Sequence, residues 1–272
     1  MYYNVTMDVA KLTEITRHFD QTVGALLKQQ GSDRGWLKGV GEMVQSKMNL
    51  DLILEDMNLF STYVPNGPIL DFGAGSGYVS LLLASMGYQT KAVDIDNYSV
   101  YSQNTYNKAM VEDQQRLWFE LSKNLKNLSF SHYASTLPYK TEEFNAVMAY
   151  AVLEHIPDSM IGGTLSEIRR VLKPQGLLYI SRLPRKKSAS EYLARHLHLG
   201  CHERLYKDSE ARELLTKAGF GIVAEHYEEV LPAYPEALTN ALFPVLKPLN
   251  KLLLKTPFKL ISHHLRFVCR RD

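Results

Sequence analysis

The segment Ile69-Leu70-Asp71-Phe72-Gly73-Ala74-Gly75-Ser76-Gly77-Tyr78 constrains this chain more than any other. An apolar run of strand character passes directly into three alternating glycines and then into an apolar helix with Val79, Leu81, Leu82 and Leu83. Glycines there allow a sharp turn and a close approach of the backbone to a ligand. The helix N-terminus behind them offers unpaired N–H groups and a positive dipole end. The spacing is G-x-G-x-G, with Tyr78 standing where the dinucleotide pattern G-x-G-x-x-G places its third glycine. No Gly-Lys-Ser/Thr follows, which excludes a P-loop.

The next strand, Lys91-Ala92-Val93-Asp94-Ile95-Asp96, carries an acid 17 residues after Gly77. An acid at the tip of the second parallel strand can accept hydrogen bonds from both hydroxyls of a ribose. Asp94 is assigned that role and Asp96 is the second choice; the structural alternative is that Asp94 caps a helix starting at Asn97. From Pro68 onward short strands alternate with helices, with strands expected near 68–73, 90–95, 127–133, 144–150 and 176–182 and helices near 76–86, 97–123 and 160–172. Such alternation predicts an α/β fold with parallel strands and right-handed crossovers. A helix over 207–218, capped by Asp208 or Ser209, and strands near 220–228 and 263–270 complete the pattern.

Residues 1–60 read as a helical extension, with Val44 to Phe60 at the helix period. Within it Gly31, Gly35, Gly39 and Gly41 around Trp36 predict a glycine-rich inter-helix loop, for which a lid is the alternative role. The remaining residues, 61–272, are expected to form one domain. A chain of 272 residues, 45% hydrophobic and 22% charged, is of ordinary globular type. The net charge of +2 is too small to imply nucleic acid. Two cysteines exclude a disulfide framework and a cysteine-rich zinc site. No run reaches the roughly 20 apolar residues of a membrane span. Asp8, Glu14 and Asp20 interrupt the N-terminus, so no secretory leader is expected. The expected location is the cytoplasm, with the inner membrane face as an option.

In order, these motifs resemble those of the class I S-adenosylmethionine-dependent methyltransferases, in particular the group with a Leu-Glu-His element after the fourth strand. Asp71 to Gly77 resembles their first motif and Ala92-Val93-Asp94 their acidic second strand. Leu137-Pro138-Tyr139 through Phe144-Asn145-Ala146-Val147 resembles the approach to strand four, and Val152-Leu153-Glu154-His155-Ile156 the element after it. Arg169 to Gly176 resembles the turn into strand five, and His202 to Tyr206 with Leu214 to Phe220 the helix and turn before strand six. The resemblance covers roughly residues 65–230. It implies a Rossmann-like seven-stranded sheet of order 3-2-1-4-5-7-6 with strand seven antiparallel. It also implies S-adenosylmethionine as cofactor, bound by Asp71, Gly73, Ala74, Gly75, Gly77, Tyr78, Asp94, Ile95, Ala134, Ser135 and Tyr150.

Three positions depart from the family pattern. Tyr133, Ala134 and Ser135 stand where relatives often have an adenine-binding acid. Ala151-Val152-Leu153-Glu154-His155 lacks the first acid of the metal-binding Glu-x-x-Glu-His, so no metal is expected. Gln175 replaces a common glycine, with little expected effect.

Methyl transfer from a sulfonium needs alignment and exclusion of water, and a base only when the acceptor must lose a proton. His155, with Glu154, is the candidate base; a loop-ordering role for the pair is the competing reading. His196, His198 and His202 are close in sequence, but no carboxylate is spaced to complete a metal site with them. Arg182, Arg185 and His202 are candidates for holding the acceptor, the arginines suiting an anionic group. Between Ala237 and Arg271 seven Lys/Arg residues occur with no acid, and Lys247, Lys251, Lys255 and Lys259 recur every fourth residue among apolar ones. That segment, an insertion expected over 231–262, either contacts anionic membrane or packs on the domain with its lysines outward.

The expected function is methylation of a small-molecule or lipid-linked acceptor, with a non-catalytic cofactor-binding scaffold as the alternative. A nicotinamide-dependent oxidoreductase is disfavoured by Tyr78. Nucleic-acid methylation is disfavoured because Ala149-Tyr150-Ala151-Val152 replaces the Asn/Asp-Pro-Pro-Tyr signature. The motifs leave oligomeric state open.

Overall fold

The computed structural model describes residues 6–30, 35–64, 66–95, 108–197, 202 and 204–272. Seven strands form one sheet of order β3-β2-β1-β4-β5-β7-β6, the order implied by the motifs. The chain divides into two compact units, Met1–Pro138 and Tyr139–Asp272.

In the first unit, α1 (Val9–Gln30), α2 (Gly35–Met43) and α3 (Lys47–Tyr63) precede β1 (Pro68–Phe72), α4 (Tyr78–Ser85), β2 (Gln89–Ile95), α5 (Lys108–Ser122) and β3 (Leu128–Tyr133). β2 lies parallel to both β1 and β3. Ile69, Leu70, Asp71 and Phe72 are all buried, as a near-continuous apolar run in a parallel sheet requires. α1 packs on the helix that follows β1: Phe19 meets the Tyr78 ring edge-on at 4.9 Å, and Thr16 Oγ1 lies 2.6 Å from the Tyr78 hydroxyl.

The glycine-rich stretch around Trp36 is a correction. Residues 31–34 lie outside the described residues, but Gly35–Met43 is helical. Leu37 and Val40, one helical turn apart, are buried there, so the burial of that face outweighs the low helix propensity of glycine.

The second unit holds β4 (Phe144–Tyr150), a 3₁₀ turn (Leu153–His155), α6 (Asp158–Val171), β5 (Leu172–Pro184), α7 (Ala189–His196), α8 (Asp208–Lys217), β6 (Phe220–Glu228), α9 (Glu236–Leu253) and β7 (His264–Arg271). β4 and β5 are parallel, and β7 runs antiparallel to both β5 and β6. β5 begins earlier than expected, at Leu172. Gln175 takes φ 63°, the left-handed region where glycine is at ease, which gives a reason for the family's glycine. The first helical residue of α8 is Asp208; its cap is Lys207, whose N–H donates to Glu210. Expected Asp208 or Ser209 capping is thereby corrected, and the Asp208 carboxylate is used elsewhere.

Candidate functional site

In the first unit the chain leaves β1 through Gly73 and Ala74, whose N–H groups both donate to the Val93 carbonyl of β2. Gly75 N–H then donates to Asp94 Oδ2 at 2.6 Å. Gly75 has φ +52°, and among the described residues a Cβ built on it would approach the Gly73 carbonyl alone, at 4.0 Å. Gly77, at φ +80°, is different: a Cβ there would lie 2.9 Å from the Phe130 ring and 3.1 Å from Trp118. Gly77 is thus needed for packing, and Gly75 leaves backbone open to a close-fitting ligand.

Asp94 is buried at the end of β2, where it accepts from Gly75 N–H, Ile95 N–H and Gln114. An ionised carboxylate offers about four acceptor positions, and three are used here, so accepting both hydroxyls of a ribose would require the long 3.3 Å bond from Gln114 to give way. Asp96 and the helix start at Asn97 lie outside the described residues. Asp71 is fully buried and accepts from Ser80 Oγ at 2.5 Å. Burial pushes its carboxyl up to about 7, Ser80 opposing and Asp94 adding to the shift. Its placement is that of a brace between β1 and α4. Tyr78 is likewise committed beneath α1. Ala74 and Ile95 are buried beside the loop, and Ala134 and Ser135 are exposed just past β3.

Sequence reasoning missed the partners supplied by α5 and β3. Gln114 Nε2 and Trp118 Nε1 both donate to the Gly75 carbonyl, at 2.9 and 3.0 Å. His132 Nε2 lies 2.8 Å from Gln114 Oε1, and the Trp118 ring stacks on Phe130 at 4.9 Å. A Gln and a Trp four residues apart share a helix face, the one signal that could have drawn attention to them.

In the second unit three non-glycine residues hold positive φ near the carboxyl ends of strands: Ala151 (53°), Arg182 (62°) and Glu229 (51°). Strain of this kind collects at functional sites. Beyond β4, Glu154 is buried, neither carboxyl oxygen has a well-formed hydrogen bond among the described residues, and burial pushes its carboxyl up to about 8. His155 is largely exposed, its Nε2 3.9 Å from Glu154 Oε1. The turn carrying them is held by the Tyr206 hydroxyl on the Leu153 carbonyl and Arg204 on the Ile156 carbonyl. A carboxyl poised near neutrality beside an accessible imidazole can take up and pass on a proton.

Because the folded pKa of Glu154 exceeds its unfolded one, its contribution to stability is complete below about pH 4.5 and is lost as pH rises toward about 8. Glu154→Gln is therefore expected to be nearly neutral at pH 4.5 and stabilising by about 2–4 kcal/mol at pH 8. Urea unfolding at both pH values checks this; equal effects at the two would place the carboxyl in water.

The basic residues after β5 are placed differently from expectation. Arg182 donates to Glu229 (3.1 Å), the Tyr150 hydroxyl (3.0 Å) and, through its backbone N–H, Glu228 (3.0 Å). Glu228 also pairs with Arg266, so both arginines are balanced by acids that sequence reasoning missed. Arg185 is 1% exposed. Its guanidinium forks onto Asp208 (2.8 and 3.0 Å), donates to the carbonyls of Lys259, Leu260 and Ser262, and lies over the Tyr227 ring. Each of its three guanidinium nitrogens donates inside the unit, which removes it from a surface anion site. His202 meets Glu191, and His198 lies outside the described residues.

The fold and the glycine loop anchored on an acidic second strand define a class I S-adenosylmethionine-dependent methyltransferase. Residues 46–225 match the model of the methyltransferase-domain family, and the chain belongs to that family. Over 153 residues it is 29% identical to a ubiquinone biosynthesis O-methyltransferase of Xanthomonas campestris pv. campestris, the match covering 53% of this chain and 57% of that one. The chain thus spans little more than half the length of that curated relative. A SAM-dependent methyltransferase from Methanosarcina mazei superposes with a TM-score of 0.52 at 20% identity, covering 78% of this chain and 96% of that one. Haemonchus contortus phosphoethanolamine N-methyltransferase 2, solved with S-adenosylhomocysteine and phosphomonomethylethanolamine, superposes with 0.51 at 18% identity, covering 80% and 52%. These two likenesses are of fold. S-adenosylmethionine is the cofactor of the class, and the bare backbone at Gly75 with the acid at Asp94 fits it.

Proposed function

We propose that the protein methylates a hydroxyl oxygen of a small-molecule or lipid-linked acceptor. The observation that carries the reading is the Gly75 loop, open on its Cβ side and tied to Asp94. The cofactor's sulfonium supplies an already activated methyl group. Asp94 would accept from the ribose hydroxyls and the Gly73–Gly77 backbone would cradle the remainder. In the second unit, Glu154 and His155 are the groups whose chemistry suits taking up a hydroxyl proton. The O-methyltransferase relatives support oxygen as the acceptor atom.

Calorimetry with S-adenosylmethionine and S-adenosylhomocysteine tests the first step. Micromolar binding of both is expected, and Asp94→Ala should weaken it by about 1–3 kcal/mol, the range for hydrogen bonds to a charged group. Absence of binding to folded protein would leave the scaffold reading in the lead.

The α9 helix supports a lipid-linked acceptor. Its buried residues are Thr239 and Asn250, and Asn250 accepts from the backbone of Val230 and Leu231. Leu238, Leu242, Val245, Leu249 and Leu252 are exposed instead, at steps that form one stripe. Lys251, Lys255 and Lys259 are exposed around it. Polar residues inward and apolar ones outward, rimmed by lysine, suit an anionic bilayer surface. Among the described residues no helix is long and apolar enough to cross a membrane. Flotation is expected with vesicles containing phosphatidylglycerol and not with phosphatidylcholine alone. No flotation with either, or a stable dimer that buries α9, would overturn the membrane contact.

A further inference from the structure

Three histidines remote from the glycine loop in sequence converge in the second unit. His202 precedes α8, while His263 and His264 open β7. Ring nitrogens of all three, one from each, lie within 4.8 Å of one another. Consecutive side chains of a strand point to opposite faces, yet the His263 and His264 rings stack at 3.8 Å, 24° apart. The His202 ring stands edge-on to both, at 5.4 and 5.7 Å. The break in alternation falls at the residue before the strand and brings both rings to His202.

The carboxylate that the sequence did not place beside the histidines comes from α7. Glu191, whose side chain is 4% exposed, accepts from His202 Nδ1 and, at 3.2 Å, from His263 Nε2. Its second oxygen is buried without a hydrogen bond, 3.7 Å from Arg195 Nε. Nδ1 of His264 is also buried without a well-formed hydrogen bond, 3.4 Å from Glu229 Oε2. Imidazoles held by carboxylates are the usual surroundings of histidine metal ligands, since the acid fixes the ring and raises its basicity.

We propose that His202, His263 and His264 form a site for a divalent transition metal, zinc foremost, with Glu191 orienting the ligands. Imidazole nitrogen and carboxylate oxygen are donors that suit zinc. Tetrahedral zinc holds nitrogens roughly 3.3 Å apart, so on binding the nitrogens approach from their present span of up to 4.8 Å and the stacked His263 and His264 rings turn toward the ion. The ion ties His202 to the start of β7. The expectation of no metal rested on the incomplete Glu-x-x-Glu-His pattern at Glu154 and His155 and on the lack of a carboxylate spaced to join His196, His198 and His202. His196 turns instead to the Tyr192 carbonyl, 2.8 Å away.

The test uses full-length protein without a histidine tag, stripped with chelator and titrated with zinc chloride by calorimetry and metal analysis. One equivalent is expected. His202→Gln, on a partly exposed residue, should weaken binding by about tenfold or more, and His263→Gln similarly, while His196→Gln binds as wild type. Circular dichroism confirms that each variant is folded. Substoichiometric zinc on folded wild type, or full affinity in folded His202→Gln, overturns the site. Equal loss in His196→Gln would do so too, by showing binding through surface histidines.

Discussion

Gly75→Val is expected to lower affinity for S-adenosylhomocysteine by at least about 100-fold, the scale of losing two or more hydrogen bonds to a charged ligand, while the chain stays folded. Two facts separate these effects. A valine at φ +52° is strained, at a cost of about 1–3 kcal/mol, within the stability of an ordinary domain. Among the described residues no side chain stands in the path of the new Cβ, which meets the Gly73 carbonyl at 4.0 Å. The added methyl groups would therefore obstruct a ligand on the loop and spare the core. Gly77→Val should behave in the opposite sense, unfolding the loop against Phe130 and Trp118. Calorimetry alongside circular dichroism distinguishes the two, and unchanged affinity in a folded Gly75→Val protein would refute the placement of the cofactor.

Arg185→Ala is expected to destabilise the protein by about 3–5 kcal/mol, the scale on which breaking a buried ion pair acts. For a chain of this size that is a fall in Tm of about 6–15 °C. The loss has two parts. Asp208 would keep a partly buried carboxylate without its fork, and the carbonyls of Lys259, Leu260 and Ser262 would lose their donor. Lysine should not rescue the variant, because an ammonium cannot span both the carboxylate and the carbonyl cluster. Differential scanning calorimetry measures the effect. A Tm within a degree or two of wild type, joined to a raised KM for an anionic acceptor, would return Arg185 to the role first read from sequence.

The contrast between these residues shows what was legible in the sequence. The alternation of strands and helices and the glycine loop follow from patterns that the backbone itself imposes: apolar strands at regular intervals, alternating glycines and an acid at a fixed distance. The strand order came instead from the resemblance to the methyltransferase family. Asp94 could be located because its neighbours in space are also its neighbours in motif. Arg182 and Arg185 could not, since a charge after a strand is equally at home in water or in a buried pair. Glu228, Glu229 and Asp208 decide between the two, and they are brought there by β6 and α8. His263 and His264 were invisible for the same reason, meeting His202 only once β7 has returned antiparallel along β5. The glycines around Trp36 misled in the other direction. Local propensity favoured a loop, and the burial of Leu37 and Val40 overrode it.

The hydrogen bond from the Trp118 indole to the Gly75 carbonyl gives the protein a built-in optical gauge. The chain has two tryptophans, and one of them is wired to the loop on which the cofactor reading depends. Any ligand that draws the Gly75 peptide toward itself changes the polarity felt by that indole. Its emission can then be followed in stopped flow without a label, with a Trp36→Phe protein giving a single-emitter record of loop movement in real time.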